Sequence, residues 1–184
     1  MRLVLTQYSA AVVLLAVLII LFGLYLSWTA TRLDRLHVRL DAARVALDAQ
    51  LLRRSTAVLE LARSGLLDPA TALILASGAR TAEIAPAEER EASESALTRD
   101  VRVAFEDPAQ AEHVRAHPDG NDLMDELGKA LRRVQLARRF HNESVRAVRQ
   151  LRSHRLVRAF RLAGRAPDKS NFEIDDEPPV AFGR

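Results

Sequence analysis

No residue between Leu3 and Thr31 carries a charge, and that run limits what the chain can fold into more than anything else in it. Its centre, Tyr8 to Trp28, reads YSAAVVLLAVLIILFGLYLSW. As a helix rising about 1.5 Å per residue, this stretch reaches roughly 30 Å, the thickness of a bilayer's hydrocarbon core. Leu15 and Leu21 lie in its middle. Tyr8 stands near one end and Tyr25 and Trp28 near the other, where amphipathic rings favour the two membrane–water interfaces. The run is too long for the apolar region of a cleaved signal peptide, and Trp28 sits where a signal peptidase cleaving after Ala30 wants a small residue. The expectation is a tail and transmembrane helix over residues 1–31, with the lipid bilayer as its partner. Arg2 flanks one side, and Arg32, Arg35, Arg39 and Arg44 flank the other. That bias puts the C-terminal part in the cytoplasm and a short N-terminus outside, with the chain a single-pass protein of the cell membrane. Gly23 and Ser27 form a small-xxx-small pair, a spacing that lets two such helices approach, so a homo-oligomer is an open option.

The remainder is helical in composition. Ala, Leu, Arg and Glu dominate, aromatics make up 5%, and charged residues 28%. The absence of Cys excludes disulfides, thiolate nucleophiles and Cys-ligated zinc. Past Thr31, apolar residues recur at Leu33, Leu36, Leu40, Ala43, Leu47, Leu51, Val58 and Leu61, in steps that keep them on one helical stripe. Gly65 to Pro69 reads as a stop and restart, followed by a short helix over 70–77 and a break over 78–86. Pro86 to Phe105 reads as a helix opened by Glu88 and Glu89, with Ala92, Leu97, Val101 and Phe105 turned inward. Asp107-Pro108 starts another short segment. Asn121 or Asp122 then caps a last long helix, whose stripe is Leu123, Leu127, Ala130, Val134, Ala137, His141, Val145 and Val148. The two long helices make a natural antiparallel spine. The fold class expected is all-α: one transmembrane helix continuing into an elongated antiparallel bundle over 32–164, then a polar, disordered tail over 165–184.

The segment Gln50-Leu-Leu-Arg53-Arg54 resembles the Q-L-x-R-R of the LemA family, and Ala137-Arg138-Arg139-Phe-His141-Asn142-Glu-Ser-Val145 resembles its A-R-R-x-Y-N-x-x-V. The end of the chain, Phe172-Glu-Ile-Asp-Asp-Glu-Pro-Pro-Val-Ala-Phe182, is similar to that family's closing F-E, acids, Pro, Val and Phe. The anchor is also at the matching end. The sequence departs from the family where Ser55 to Leu61 stand in place of D-L-I-P-N-L-V, and where His141 replaces a Tyr. The resemblance implies a membrane-anchored helical domain and leaves the molecular role undefined.

Chemistry is sparse. His113 and His117 have a four-residue spacing that can present two imidazoles to one metal, but no HExxH frame surrounds them, so two ordinary surface histidines are the default. His141 lies on the apolar stripe and reads as a buried, hydrogen-bonded histidine. The run Glu88 to Glu94 reads as the acidic face of an amphipathic helix. The pairs Arg53-Arg54 and Arg138-Arg139 are candidates to meet Glu60 or Glu143, although solvated arginines account for them as well. Between Lys129 and Arg165 the only acid is Glu143, so Arg146, Arg149, Arg152, Arg155 and Arg158 lie in a strongly basic stretch. Such a stretch suits anionic lipid headgroups or an acidic neighbour within the chain. No catalytic residue, metal site or cofactor is assigned. The function expected is that of a scaffold or adaptor that binds an unidentified protein partner and is not an enzyme. Two alternatives are a nucleic-acid-binding tether using the Arg-rich last helix and a weakly catalytic domain centred on His141.

Overall fold

The structure, a computed structural model, describes residues 2–154 and 170–182, with side chains from residue 12 onward. The described residues are helical throughout except for connections and the segment 170–182. The elements are α1 (Arg2–Arg63), α2 (Pro69–Ile84), α3 (Arg90–Ala104), α4 (Pro108–Arg115) and α5 (Gly120–Arg152), followed by a 3-10 turn at Val180–Phe182.

The ends of these helices follow from local chemistry. At Gly65, just past the end of α1, φ is +77°, a conformation that side chains with a Cβ adopt at a cost. Asp68 caps α2, its carboxylate accepting from the Ala70 and Thr71 amides at 3.0 Å, with Pro69 in the first turn. Asp107 does the same for α4 through the Ala109 amide at 2.9 Å.

Three boundaries differ from the sequence reading. α2 does not break at Gly78 but runs through it to Ile84. Gly78 there serves close approach: a Cβ at this position would lie 2.6 Å from Asp100 Oδ2. Pro86 to Glu89 form a turn, the Glu89 amide donating to the Pro86 carbonyl at 3.1 Å, so α3 starts after the two acids expected to open it. α5 starts at Gly120, which places Asn121 and Asp122 inside its first turn instead of at its cap.

The chain divides into two compact units. The first comprises residues 1–40 and 144–169; the second comprises 41–143 and 170–184. In the first, Leu33 is buried with Leu151, Leu40 is buried with Val145 and Val148, and half-buried Leu36 packs on both groups. The second holds the main core. Ala57, Val58 and Leu61 of α1 meet Leu75, Ala79 and Ala82 of α2, Leu97, Val101 and Phe105, and Met124, Leu127 and Leu131 of α5. A smaller cluster joins Leu47 and Leu51 to Val134, Phe172 and Ile174. Burial of these stripes offsets the entropy of ordering helices whose other faces are polar.

Residues 12–25 contrast with both. Val12 to Tyr25 are exposed along the helix, Leu15 at 59% and Leu21 at 56%. Among the described residues, α1 is the one helix long and apolar enough to cross a membrane.

The tail corrects an expectation. Residues 170–182 have little regular structure, but they are not a free polar segment. Phe172, Ile174 and Phe182 are buried, and Phe182 meets Phe105 edge to face with ring centroids 5.4 Å apart. The apolar residues interspersed among the acids supply the burial that a purely polar tail lacks.

Candidate functional site

Two polar constructions in the second unit bring in three of the motif residues, Arg54, Arg138 and Asn142. The first is dry. Arg54 lies on the α1 stripe between Leu51 and Val58 and is 1% exposed. Its guanidinium forms an ion pair with the Glu94 carboxylate of α3. It also donates to the Glu94 carbonyl at 3.0 Å and to the Thr98 hydroxyl at 2.8 Å. The Thr98 hydroxyl in turn donates to the Glu94 carbonyl at 3.1 Å. A buried arginine is tolerated only when its donors are met and its charge is opposed, and α3 supplies both. Burial pushes the Glu94 carboxyl up from its ordinary value, while Arg54 and then Arg90 hold it down.

This corrects three expectations. Arg54 is not solvated, and its acid is neither Glu60 nor Glu143. Glu94 is not part of a solvated acidic face, because α3 turns it inward; Ala92, expected inward, is exposed. The reason is rotational: with Leu97, Thr98 and Val101 buried, the residue one turn before Leu97 and Thr98 on the same face is Glu94.

The second construction holds the C-terminal segment and is wetter. Asn142, buried on α5, brackets Phe172: the Phe172 amide donates to Asn142 Oδ1 at 2.8 Å, and Asn142 Nδ2 donates to the Phe172 carbonyl at 3.2 Å. That is the pairing one strand residue makes with another, supplied here by a side-chain amide. One turn earlier, Arg138 grips Asp176 with two bonds, Nε–Oδ2 at 2.6 Å and Nη2–Oδ1 at 3.0 Å. Gln135 donates to the Asp176 carbonyl at 2.7 Å. From α3, Arg102 pairs with Asp175 at 2.7 Å, and the Asp175 amide donates to Ser95 Oγ at 3.1 Å. Partial burial pushes the Asp175 carboxyl up, but the Arg102 bond and the Glu177 amide outweigh it, leaving it below the usual carboxylate range. Arg44 of α1 lies over the Phe172 ring, 5.0 Å from its centroid. Arg138 and Asn142 thus meet the Phe172-to-Phe182 segment, thirty or more positions away in the chain, at one place.

The other residues named from the sequence distribute as follows. Tyr8 lies in α1, its side chain outside the described residues; Leu15, Leu21, Tyr25 and Trp28 are exposed, and the Arg32 guanidinium stands 5.8 Å from the Trp28 ring. Gln50 is half-buried; Arg53 and Arg139 are exposed; His141 and Val145 are buried, as the stripe required. Arg146 and Arg149 are exposed and Arg152 is half-buried. Arg155 and Arg158 lie outside the described residues. His117 Nδ1 lies 3.0 Å from the His113 carbonyl and the two rings sit 5.1 Å apart; among the described residues no group of three or more metal-ligating side chains forms.

One surface was not read from the sequence. Leu73 and Ile74 of α2 and Val103 of α3 are exposed large apolar residues around Asp100. They line two adjoining depressions: a cavity of about 310 Å³ containing Ile74, Val103 and Asp100, and one of about 460 Å³ containing Leu73, Gly78 and Asp100. Desolvation pushes the Asp100 carboxyl up, opposed by the Arg99 charge. A carboxylate set in an apolar groove suits a ligand segment that is apolar with one cation. Compared with known proteins, the chain matches no family model, no curated protein and no solved structure.

Proposed function

We propose that the chain is a single-pass membrane-anchored scaffold of LemA type whose helical part works by binding a protein partner. The observation that carries this reading is the exposure of Val12 to Tyr25, an uninterrupted uncharged stretch with no polar face, whereas the rest of α1 buries one apolar stripe and carries charged residues on its other faces. Water penalises such a surface by about 25 cal/mol per Å², and a bilayer removes the penalty. The flanking arginines favour a cytoplasmic helical domain. An antiparallel spine is supported by the order of packing in the first unit, where Leu33 meets Leu151 and Leu40 meets Val145. Contact with lipid headgroups is supported in the first unit, where Leu151 packs on Leu33, a few residues beyond Trp28, and Arg146 and Arg149 are exposed.

The α2–α3 groove around Asp100 is the surface on which the scaffold receives its partner. The test is photo-crosslinking of the full chain in its native membrane from positions 73 and 103. A single stoichiometric adduct is expected, abolished by Ile74→Asp on another residue of the same groove. Crosslinking spread over many proteins, or insensitive to Ile74→Asp, refutes the groove as the receptor surface.

A further inference from the structure

The first helix carries a second apolar stripe, on the side turned away from the core. In the second unit, Ala42, Val45, Ala49, Leu52 and Thr56 are all exposed, Val45 at 69% and Leu52 at 50%. Their spacing alternates four and three, the a/d pattern of a coiled-coil heptad, with Val45 and Leu52 at d and Ala42, Ala49 and Thr56 at a. The buried residues Leu47 and Arg54 fall at f, diametrically opposite, so the inner and outer stripes do not compete. In the first unit the same register puts exposed Val38 at d.

The flanking charges identify the occupant. The g positions are Asp34 in the first unit and Asp41 and Asp48 in the second; the e positions include Arg39 in the first and Arg53 in the second. In a parallel pair of identical helices, each g residue faces the e residue five positions further along its partner. That sets exposed Asp34 against exposed Arg39 in the first unit and, in the second, Arg53 against Asp48, a half-buried carboxylate that also pairs with Arg44 and Arg90 of its own chain; the charges are opposite each time. An antiparallel pair sets g against g and e against e, Asp on Asp and Arg on Arg. The pattern is therefore self-complementary in one orientation only.

We propose that this outer stripe of α1 is a docking surface for a second copy of the same chain, forming a parallel, in-register two-stranded coiled coil. Alanine at the a positions lets the two helices approach closely and keeps the buried area small. The pair is accordingly weak in dilute solution and strengthened wherever the two chains are held at high local concentration. The pairing does not depend on the anchor, because stripe and charges lie beyond it.

The absence of Cys makes the test direct. Val45→Cys and Leu52→Cys are introduced singly into the full chain, expressed in membranes, and mildly oxidised. A parallel, in-register pair brings each cysteine to its own copy within disulfide reach. Each variant should then yield at least about tenfold more covalent dimer than the exposed off-stripe control Ser77→Cys. Adding Asp34→Arg to Leu52→Cys should cut that yield several-fold, and further addition of Arg39→Asp should restore it. All these positions are exposed, so unchanged helix content by circular dichroism separates loss of pairing from loss of fold. Yields equal to the Ser77→Cys control overturn the proposal. So does a disulfide that forms only between Ala42→Cys and Leu52→Cys chains when mixed, which marks an antiparallel pair, where each a residue meets a d residue of the partner. Membrane fractionation of the same samples reports anchoring separately.

Discussion

Residues 12–25 and 33–61 belong to one helix, yet they face their surroundings in opposite ways. In the first stretch the apolar side chains are exposed around the helix; in the second, Leu33, Leu40, Leu47, Leu51, Val58 and Leu61 are buried and charged residues occupy much of the remaining surface. Under the proposed anchoring, the same backbone meets two solvents. A helix that is apolar all round gains nothing from a single protein neighbour and needs a medium that is apolar on all sides. A helix with one stripe needs a packed partner and tolerates water elsewhere. Arg54 sharpens the contrast: the second stretch admits a charge into its buried stripe because α3 supplies Glu94 and Thr98 to meet it.

The strongest way to break the contrast is to give the first stretch the polarity of the second. Leu15→Arg with Leu21→Arg should prevent membrane integration, since each arginine near the centre of a spanning helix costs about 2.5–3.5 kcal/mol. Membrane flotation of the double variant measures it, and a fully membrane-integrated double variant would show that this stretch does not meet hydrocarbon. Next comes Arg54→Ala, which leaves buried Glu94 with only the more distant Arg90, at 4.0 Å, as a counter-charge; loss of roughly 3–5 kcal/mol of stability is expected from denaturant titration. Replacing Arg54 and Glu94 together by leucine should cost much less, because both desolvation penalties go at once.

A smaller effect separates the dry ion pair from the wetter clasp. Asn142→Ala should loosen residues 170–182 by about 1–3 kcal/mol, exposing Phe172 and its neighbours to limited proteolysis while the helices remain intact. Arg102→Ala, at a pair that is about one-third exposed, should cost under about 1 kcal/mol and lose its effect in high salt. The smallest effect is a pH slope. Asp100 is held above its ordinary 3.8 chiefly by desolvation, so the folded chain retains that proton longer than the unfolded chain. Its contribution to stability therefore falls as pH rises through the carboxylate range. Asp100→Asn should flatten that part of the profile and raise the melting temperature at neutral pH, but leave it nearly unchanged at pH values below the carboxylate range.

Much of the fold was legible because helical periodicity is a local signal. The two long stripes were read residue by residue, and their members are buried or half-buried where the pattern put them. The seven-residue gap between Leu51 and Val58 was also a signal, since the face it skips must be filled; Arg54 fills it. Glu94 was hidden by company. In a run of acids, composition suggests a solvated face, and only the rotation fixed by Leu97 and Val101 turns one acid inward. The clasp was not legible because no periodicity links Asn142 to Phe172, thirty positions away; a bracketing amide leaves no trace in spacing. The alternation of Phe172 and Ile174 with acids was the clue that the tail has an inner face. Gly78 misled because a helix break and a close approach call for the same residue.

The most direct test of the central claim is alkaline carbonate extraction of the full chain from membranes, with the mass of the retained species measured. An unshortened polypeptide that stays in the membrane fraction is the predicted result. Release of the unshortened chain into the wash, or recovery of a species cleaved near Ala30, would contradict it.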